Sequence, residues 1–177
     1  MDEFVDYSAN SLDVFKDMQA KRVVITGIGM VTPLGNDVAS TWHNLLQGKS
    51  GAGRITHFDA SKFKTQFACE VKDLDMSALF DQKEMRRYDR CIHYAVKSTD
   101  EAIRDAQINM AEEDALRCGV IYGSGMGGVN ALDTNIGEFF AGDGTPRYSP
   151  FFVPMIITNM SAGMLAIRHG FKGVNYC

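Results

Sequence analysis

No C-x-x-C pair occurs in this sequence, and its four cysteines, Cys69, Cys91, Cys118 and Cys177, lie far apart. That spacing excludes a disulfide scaffold or a zinc ribbon and predicts reduced thiols in a cytosolic compartment. His43, His57, His93 and His169 share no ligand spacing with one another or with a cysteine, so no metal site is expected. Each reads as a surface or capping histidine. No basic stretch leads into an apolar run at the start of the chain, which is acidic where a transit peptide would be basic; the expected localisation is cytoplasmic. A strong charge imbalance is lacking too. The net charge is −4, and Asp2, Glu3, Asp6, Asp13 and Asp17 against Lys16 account for all of it. Residues 21–177 are therefore neutral, and neither nucleic acid nor a membrane surface is expected as a partner. No repeat or low-complexity tract appears. A length of 177 residues suits one domain or an incomplete piece of a larger one, and 45% hydrophobic with 23% charged content is that of a folded globular chain.

The most distinctive stretch is Ser149–Cys177. From Phe151 to Ile167 it carries no charge, and apolar residues fall on every side of a helical wheel. A helix apolar all round is buried on all sides, in a protein core or in a bilayer. The run is shorter than the roughly 20 residues a spanning helix needs, and Pro154, Thr158, Asn159 and Ser161 interrupt it. A buried core helix is therefore expected and a membrane span is not. Arg168, His169 and Gly170 supply a basic last turn and a stop, and Val174–Cys177 begins an extended segment.

Upstream, residues 1–20 read as an acidic, disordered extension, with an ordered domain over 21–177. Val23-Val24-Ile25 predicts a strand buried on both faces. The glycine-punctuated loop 26–35 follows, then a helix capped by Asn36, with Val38, Trp42, Leu45 and Leu46 on its apolar side and Gly48 as its stop. Phe58, Phe63 and Phe67 read as half-buried, and Cys69-Glu70-Val71 as a short strand. Apolar residues from Met85 through Tyr88, Ile92, Val96 and Ile103 to Ala106 recur at helical steps and predict one helix over 82–107. Lys83, Arg86, Arg87 and Arg90 crowd its start against the macrodipole. They form either a solvated face or a docking patch for an anionic partner.

Cys118–Tyr122 predicts a second buried strand, entering Gly123-Ser124-Gly125-Met126-Gly127-Gly128 and then a helix over 129–141. The G-x-G-x-x-G pattern is formally that of a dinucleotide loop, but no strand ending in an acid follows at the required distance. The Gly27–Gly35 loop lacks the third glycine of that fingerprint: Gly27 and Gly29 are followed by Thr32-Pro33, and the helix starts later. For the Gly123–Gly128 loop, close backbone packing is the better reading, its glycines making room for neighbours or for a ligand's chain, and no cofactor is expected.

Four segments together resemble the condensing enzymes of fatty-acid synthesis, the type II β-ketoacyl-[acyl carrier protein] synthases. They are R-V-V-I-T-G-I-G-M-V-T-P-L-G (22–35), S-T-W-H-N-L-L-Q-G-K-S-G (40–51), I-Y-G-S-G-M-G-G (121–128) and S-P-F-F-V-P-M-I-I-T-N-M-S-A-G (149–163). The resemblance covers 21–177. It implies an α/β, thiolase-like fold, of which this is an incomplete N-terminal half of a layered α-β-α-β-α arrangement, active as a homodimer. It also implies decarboxylative condensation: a cysteine takes an acyl chain from acyl carrier protein as a thioester, and the carbanion from malonyl carrier protein attacks it. A thiol suits this step as a strong nucleophile and good leaving group, aided by a helix N-terminus and backbone N–H donors.

Gly173 matches the glycine that precedes the family's nucleophile, but Val174 stands where the family has proline. The nucleophile is expected a few residues beyond Cys177, and the two histidines and lysine of the family in the second half. No catalytic residue is therefore expected within this chain, which reads as inactive by itself, with Cys177 as a structural thiol. By the same resemblance Met126 gates the acyl pocket, with core filling as the alternative. Phe152 lines that pocket, and Lys83, Arg86, Arg87 and Arg147 grip the acidic acyl carrier protein. The rival reading is a non-catalytic chain-length or scaffold partner of a ketosynthase.

Overall fold

The computed structural model describes residues 22–177; the expectations for residues 1–20 and for Lys21 lie outside the described residues. The β-branched run at 22–26 is the first departure from the sequence reading. It forms no strand and pairs with none among the described residues, leaving Val23 90% and Ile25 84% exposed. The loop after it is fastened to a helix further on. Ile28 N donates to Asp105 Oδ2 and Met30 N to Glu101 Oε2, both at 2.9 Å.

Helix α1 (Val38–Leu46) starts at Asp37, not Asn36: Asp37 is extended and its Oδ1 accepts from Ser40 N at 2.6 Å. An ionised carboxylate is the stronger cap, and hydrogen bonds with Ser40 hold its pKa below the ordinary value. Asn36 instead donates from Nδ2 to Lys72 O at 2.8 Å. Gly48, with φ +66°, closes the helix as expected. The expected apolar face does not go inside, since Trp42, Leu45 and Leu46 are exposed. The buried contact is Thr41, whose hydroxyl donates to Gly35 O at 3.2 Å.

Strands β1 (Gly53–Arg54) and β2 (Phe67–Ala68) form an antiparallel pair in the register Gly53↔Ala68 and Arg54↔Phe67. The strand expected at 69–71 thus lies just upstream. Phe58, Phe63 and Phe67 are exposed rather than half-buried, with Phe58 and Phe63 meeting edge to face at 5.5 Å.

The single helix expected over 82–107 is two. Helix α2 (Gln82–Met85) has a capping box between Asp81 and Glu84. The chain then turns at 86–89, and helix α3 (Arg90–Asp105) begins from Asp89, whose carboxylate accepts from Cys91 N. The three- and four-residue apolar steps run through this break, so periodicity hides it, whereas two well-placed N-cap aspartates make it.

After a 3-10 turn (Ala115–Arg117), strand β3 (Val120–Ile121) leads into the glycine loop and helix α4 (Val129–Ala141), as expected. The uncharged run is then two helices, α5 (Phe152–Ile156) and α6 (Met160–His169). Pro154 sits in the first turn of α5, where a missing N–H costs nothing. Ile157 turns extended and ends α5. The expected all-round burial therefore fails: Ser161, Ala162 and Leu165 are buried, while Val153, Ile157 and Ile167 are exposed. Gly170, at φ +72°, stops α6.

Ala162 and Leu165 of α6 and Ile92, Ala95 and Val96 of α3 form the core with Met76, Phe80 and Val120. Strand β4 (Asn175–Tyr176) pairs parallel with β3 in the register Val120↔Asn175 and Ile121↔Tyr176, with α4, α5 and α6 in the crossover. The basic last turn of α6 is tied to α3: Arg168 donates to Leu79 O at 2.9 Å and lies 3.6 Å from Asp100. His169 Nε2 is 3.0 Å from Asp100 Oδ1, although the atom makes no aligned hydrogen bond. Burial pushes the His169 pKa down, and Asp100 opposes that.

No helix of the described residues is long and apolar enough to cross a membrane. Ile121 is 82% exposed beside Val174 and Tyr176 on β4 and its approach, also exposed. Exposed apolar surface on this scale binds hydrophobic dyes. Residues 1–177 by themselves are expected to bind such a dye strongly and to aggregate on warming; a dye-silent monomer with one sharp thermal transition would contradict this.

Candidate functional site

The glycine loop is shaped by two contacts. Gly127 has φ +68°, a left-handed conformation that favours glycine, and its N–H donates to Ser124 Oγ at 3.1 Å. The loop then lies against the break between α5 and α6. A Cβ on Gly127 would fall 2.3 Å from Ile156 O and one on Gly128 1.9 Å from Met155 O, while Gly128 N donates to Ile156 O at 3.3 Å. Gly127 and Gly128 are thus spent on backbone packing, as the sequence reading expected. Gly123 and Gly125 face open space. Met126, which follows Gly125, is 75% exposed among the described residues.

Phe152 is half-buried at the start of α5. Its ring stacks on Tyr148 at 5.1 Å, Tyr148 on Phe139 at 6.1 Å, and Phe139 meets Phe140 edge to face at 5.4 Å. Stacked rings favour such offset geometry, and this row ties α5 to α4. Tyr148 and Phe139 were missed in the sequence; aromatics on both sides of the Gly142–Pro146 turn were the available signal.

Lys83 lies on α2, Arg86 ends it, and Arg87 follows in the turn; all three side chains are exposed. They are not the first turns of one long helix, so the conflict with the macrodipole largely disappears. The Arg87 guanidinium lies 4.9 Å from the centre of the Phe151 ring, a cation–π contact. Arg147 is exposed and pairs with Asp143 at 3.0 Å. Hydrogen bonds with Thr145 lower the Asp143 pKa. The fold brings Arg87 beside the Phe151–Phe152 start of α5, joins the Met126 loop to the end of that helix, and places Arg147 next to Tyr148 in the chain. Lys83 and Arg86 share only the turn with Arg87.

Asp89 also escaped the sequence reading. It is the only buried carboxylate among the described residues, at 6% exposed, and it caps two helices. The signal was aspartate directly before a renewed apolar period. Close by, His93 is buried against the Phe80 ring at 5.2 Å, and burial lowers its pKa.

All four cysteines are free; Cys69 and Cys177 are exposed, Cys91 and Cys118 half-buried. Burial, then the charge of Asp89, raises the Cys91 pKa, which suppresses the thiolate a nucleophile needs. Burial raises the Tyr122 pKa as well. Among the described residues no three His, Cys, Asp or Glu side chains converge as metal ligands.

These elements define part of a thiolase-like condensing-enzyme fold. The backbone superposes on the ishigamide ketosynthase/chain length factor with a TM-score of 0.74 at 24% identity, covering 86% of this chain and 38% of that one. It matches a type II polyketide ketosynthase, solved in complex with its acyl carrier protein, with a TM-score of 0.68 at 19% identity, over 85% of this chain and 40% of the other. Residues 20–177 match the β-ketoacyl synthase N-terminal domain, and the chain belongs to the β-ketoacyl synthase family. It is 42% identical to 3-oxoacyl-[acyl-carrier-protein] synthase 2 of Synechocystis over 91% of its length, and 44% identical to that of Coxiella burnetii over 89%. It spans 38% of the length of each of these relatives.

Proposed function

We propose that these residues are the N-terminal part of a cytoplasmic, homodimeric β-ketoacyl-[acyl carrier protein] synthase that elongates fatty acyl chains by condensation with malonyl carrier protein. The observation that carries this reading is the 42–44% identity to 3-oxoacyl-[acyl-carrier-protein] synthases across about nine tenths of the chain. The geometry supports it by setting a cationic turn beside an aromatic row and joining a flexible, exposed methionine to the same helix.

In this reading the acidic acyl carrier protein docks on Lys83, Arg86, Arg87 and Arg147, and its acyl chain enters past Met126 along Phe152. Methionine suits a gate because its unbranched thioether adapts to a passing chain. The nucleophilic cysteine, the two histidines and the lysine lie outside residues 1–177, so these residues alone do not condense substrates. The raised pKa of the half-buried Cys91 thiol agrees with that.

The test is to express the natural reading frame and supply an acyl carrier protein thioester with malonyl carrier protein. A 3-oxoacyl product and an acylated-enzyme mass are expected from it, and neither from residues 1–177 alone. A natural product that binds a ketosynthase but is never acylated would instead establish the non-catalytic partner.

A further inference from the structure

We infer that Asp89 is a positioning residue that ties the cationic docking turn to the Met126 loop and so sets how that loop stands. The inference rests on the acyl-pocket reading above. Asp89 Oδ1 accepts from Cys91 N at 3.3 Å, capping α3, and Oδ2 accepts from Ala131 N at 2.7 Å, capping α4 from 42 residues away in sequence. Helix α4 cannot supply this itself, because its N-cap is Gly128, which makes no side-chain cap bond. Gly128 is also clasped by the same aspartate: a Cβ there would lie 3.0 Å from Asp89 Cβ on one side and 1.9 Å from Met155 O on the other.

The chain order gives the arrangement its meaning. Asp89 stands in the turn just after Arg86 and Arg87, and the residues it holds, Gly128 and Ala131, lie within five positions after Met126. A partner that engages the arginines therefore acts on the same short turn that fixes the end of the loop. Only an ionised carboxylate does this well, since it offers an acceptor oxygen to each helix and no donor. Asparagine would turn an NH2 group toward one of the two N–H donors. Serine caps a helix well, but a single oxygen cannot serve both.

Asp89→Ser therefore separates the two tasks, keeping a cap for α3 and releasing α4. In the protein expressed from its natural reading frame, amide exchange over 125–132 should quicken about tenfold while 92–104 stays within about twofold. The ratio of kcat/KM for long against short acyl chains should change by about fivefold or more, with carrier-protein affinity within about twofold. Loss of stability alone lowers the active fraction for every chain equally and leaves that ratio unmoved. An unchanged ratio overturns the inference, and so does exchange that rises equally in both segments or in neither. If the wild-type protein forms no 3-oxoacyl product, the functional reading fails separately, and exchange alone decides whether Asp89 holds the loop. Should Asp89→Ser not fold, Asp89→Asn is read by the same measurements.

Discussion

Gly29→Val is expected to destabilise the protein by about 3 kcal/mol or more, read as a lower urea midpoint at unchanged slope. A Cβ at position 29 would stand 1.8 Å from Ser98 O, inside the backbone of α3, and one at Gly27 would stand 2.2 Å from Ala102 O. A helix carbonyl cannot move aside as a flexible side chain does, so the whole 27–30 segment would have to lift. Lifting breaks the bonds from Ile28 N to Asp105 and from Met30 N to Glu101. It also disturbs Glu101, whose other oxygen accepts from Val38 N at 2.9 Å at the first turn of α1. The control is Gly123→Ala, where nothing lies within 4 Å; its effect should stay within about 0.5 kcal/mol. Equal, small effects at both positions would refute close packing as the reason for the first glycine.

The same comparison explains what could and could not be read from sequence. Both glycine loops resemble phosphate cradles in composition, and both turn out to be places where one backbone meets another: Gly27 and Gly29 on α3, Gly127 and Gly128 on the end of α5. The dinucleotide reading fails on sequence because the first loop lacks the third glycine and the second lacks the ribose-binding acid. The positive reason lies in contacts made with segments far along the chain, which no local pattern carries. Helices α1, α4 and the Gly170 stop were legible because their signals are local: a polar cap, an apolar stripe, a left-handed glycine.

The helix break at 86–89 was not legible because an apolar period continues across it, and that at 157–159 because the run around it is apolar on every side and has no period to interrupt. A turn of three or four residues shifts the phase too little for periodicity to register. The burial of Val23-Val24-Ile25 and of the Trp42–Leu46 face was misjudged for a different reason. β-branched and apolar composition reports a preference for cover, and the described residues provide no neighbour to satisfy it. In the candidate site, Met126, Phe152 and the bases could be named from segments that resemble a family. Asp89 could not, since its second partner, Ala131, is fixed only by the tertiary fold.

If the proposed docking holds, reversing charge at the cationic turn has the largest effect on partner binding. Arg86→Glu combined with Arg87→Glu is expected to weaken binding of an acidic acyl carrier protein by about a hundredfold, because close charge pairs across interfaces couple by about 1.5 kcal/mol or more each and reversal adds repulsion. Wild-type affinity should fall steeply as salt rises, since exposed charges are screened within about 10 Å at 0.1 M, and the variant's should not. Lys83→Glu should produce a smaller loss without touching the aromatic row. Arg147→Glu should do less than either arginine of the turn, because Arg147 is already paired with Asp143 at 3.0 Å. Arg87 does more than carry charge: it lies over Phe151, next to the ring proposed to line the pocket. Arg87→Lys keeps the charge and loses the planar guanidinium that stacks well on an aromatic face. It should therefore retain most of the carrier affinity while slowing acyl transfer from the bound carrier, measured under single-turnover conditions. Equal losses in both steps would mean that Arg87 serves docking alone, and the link between the cationic turn and the aromatic row would be severed.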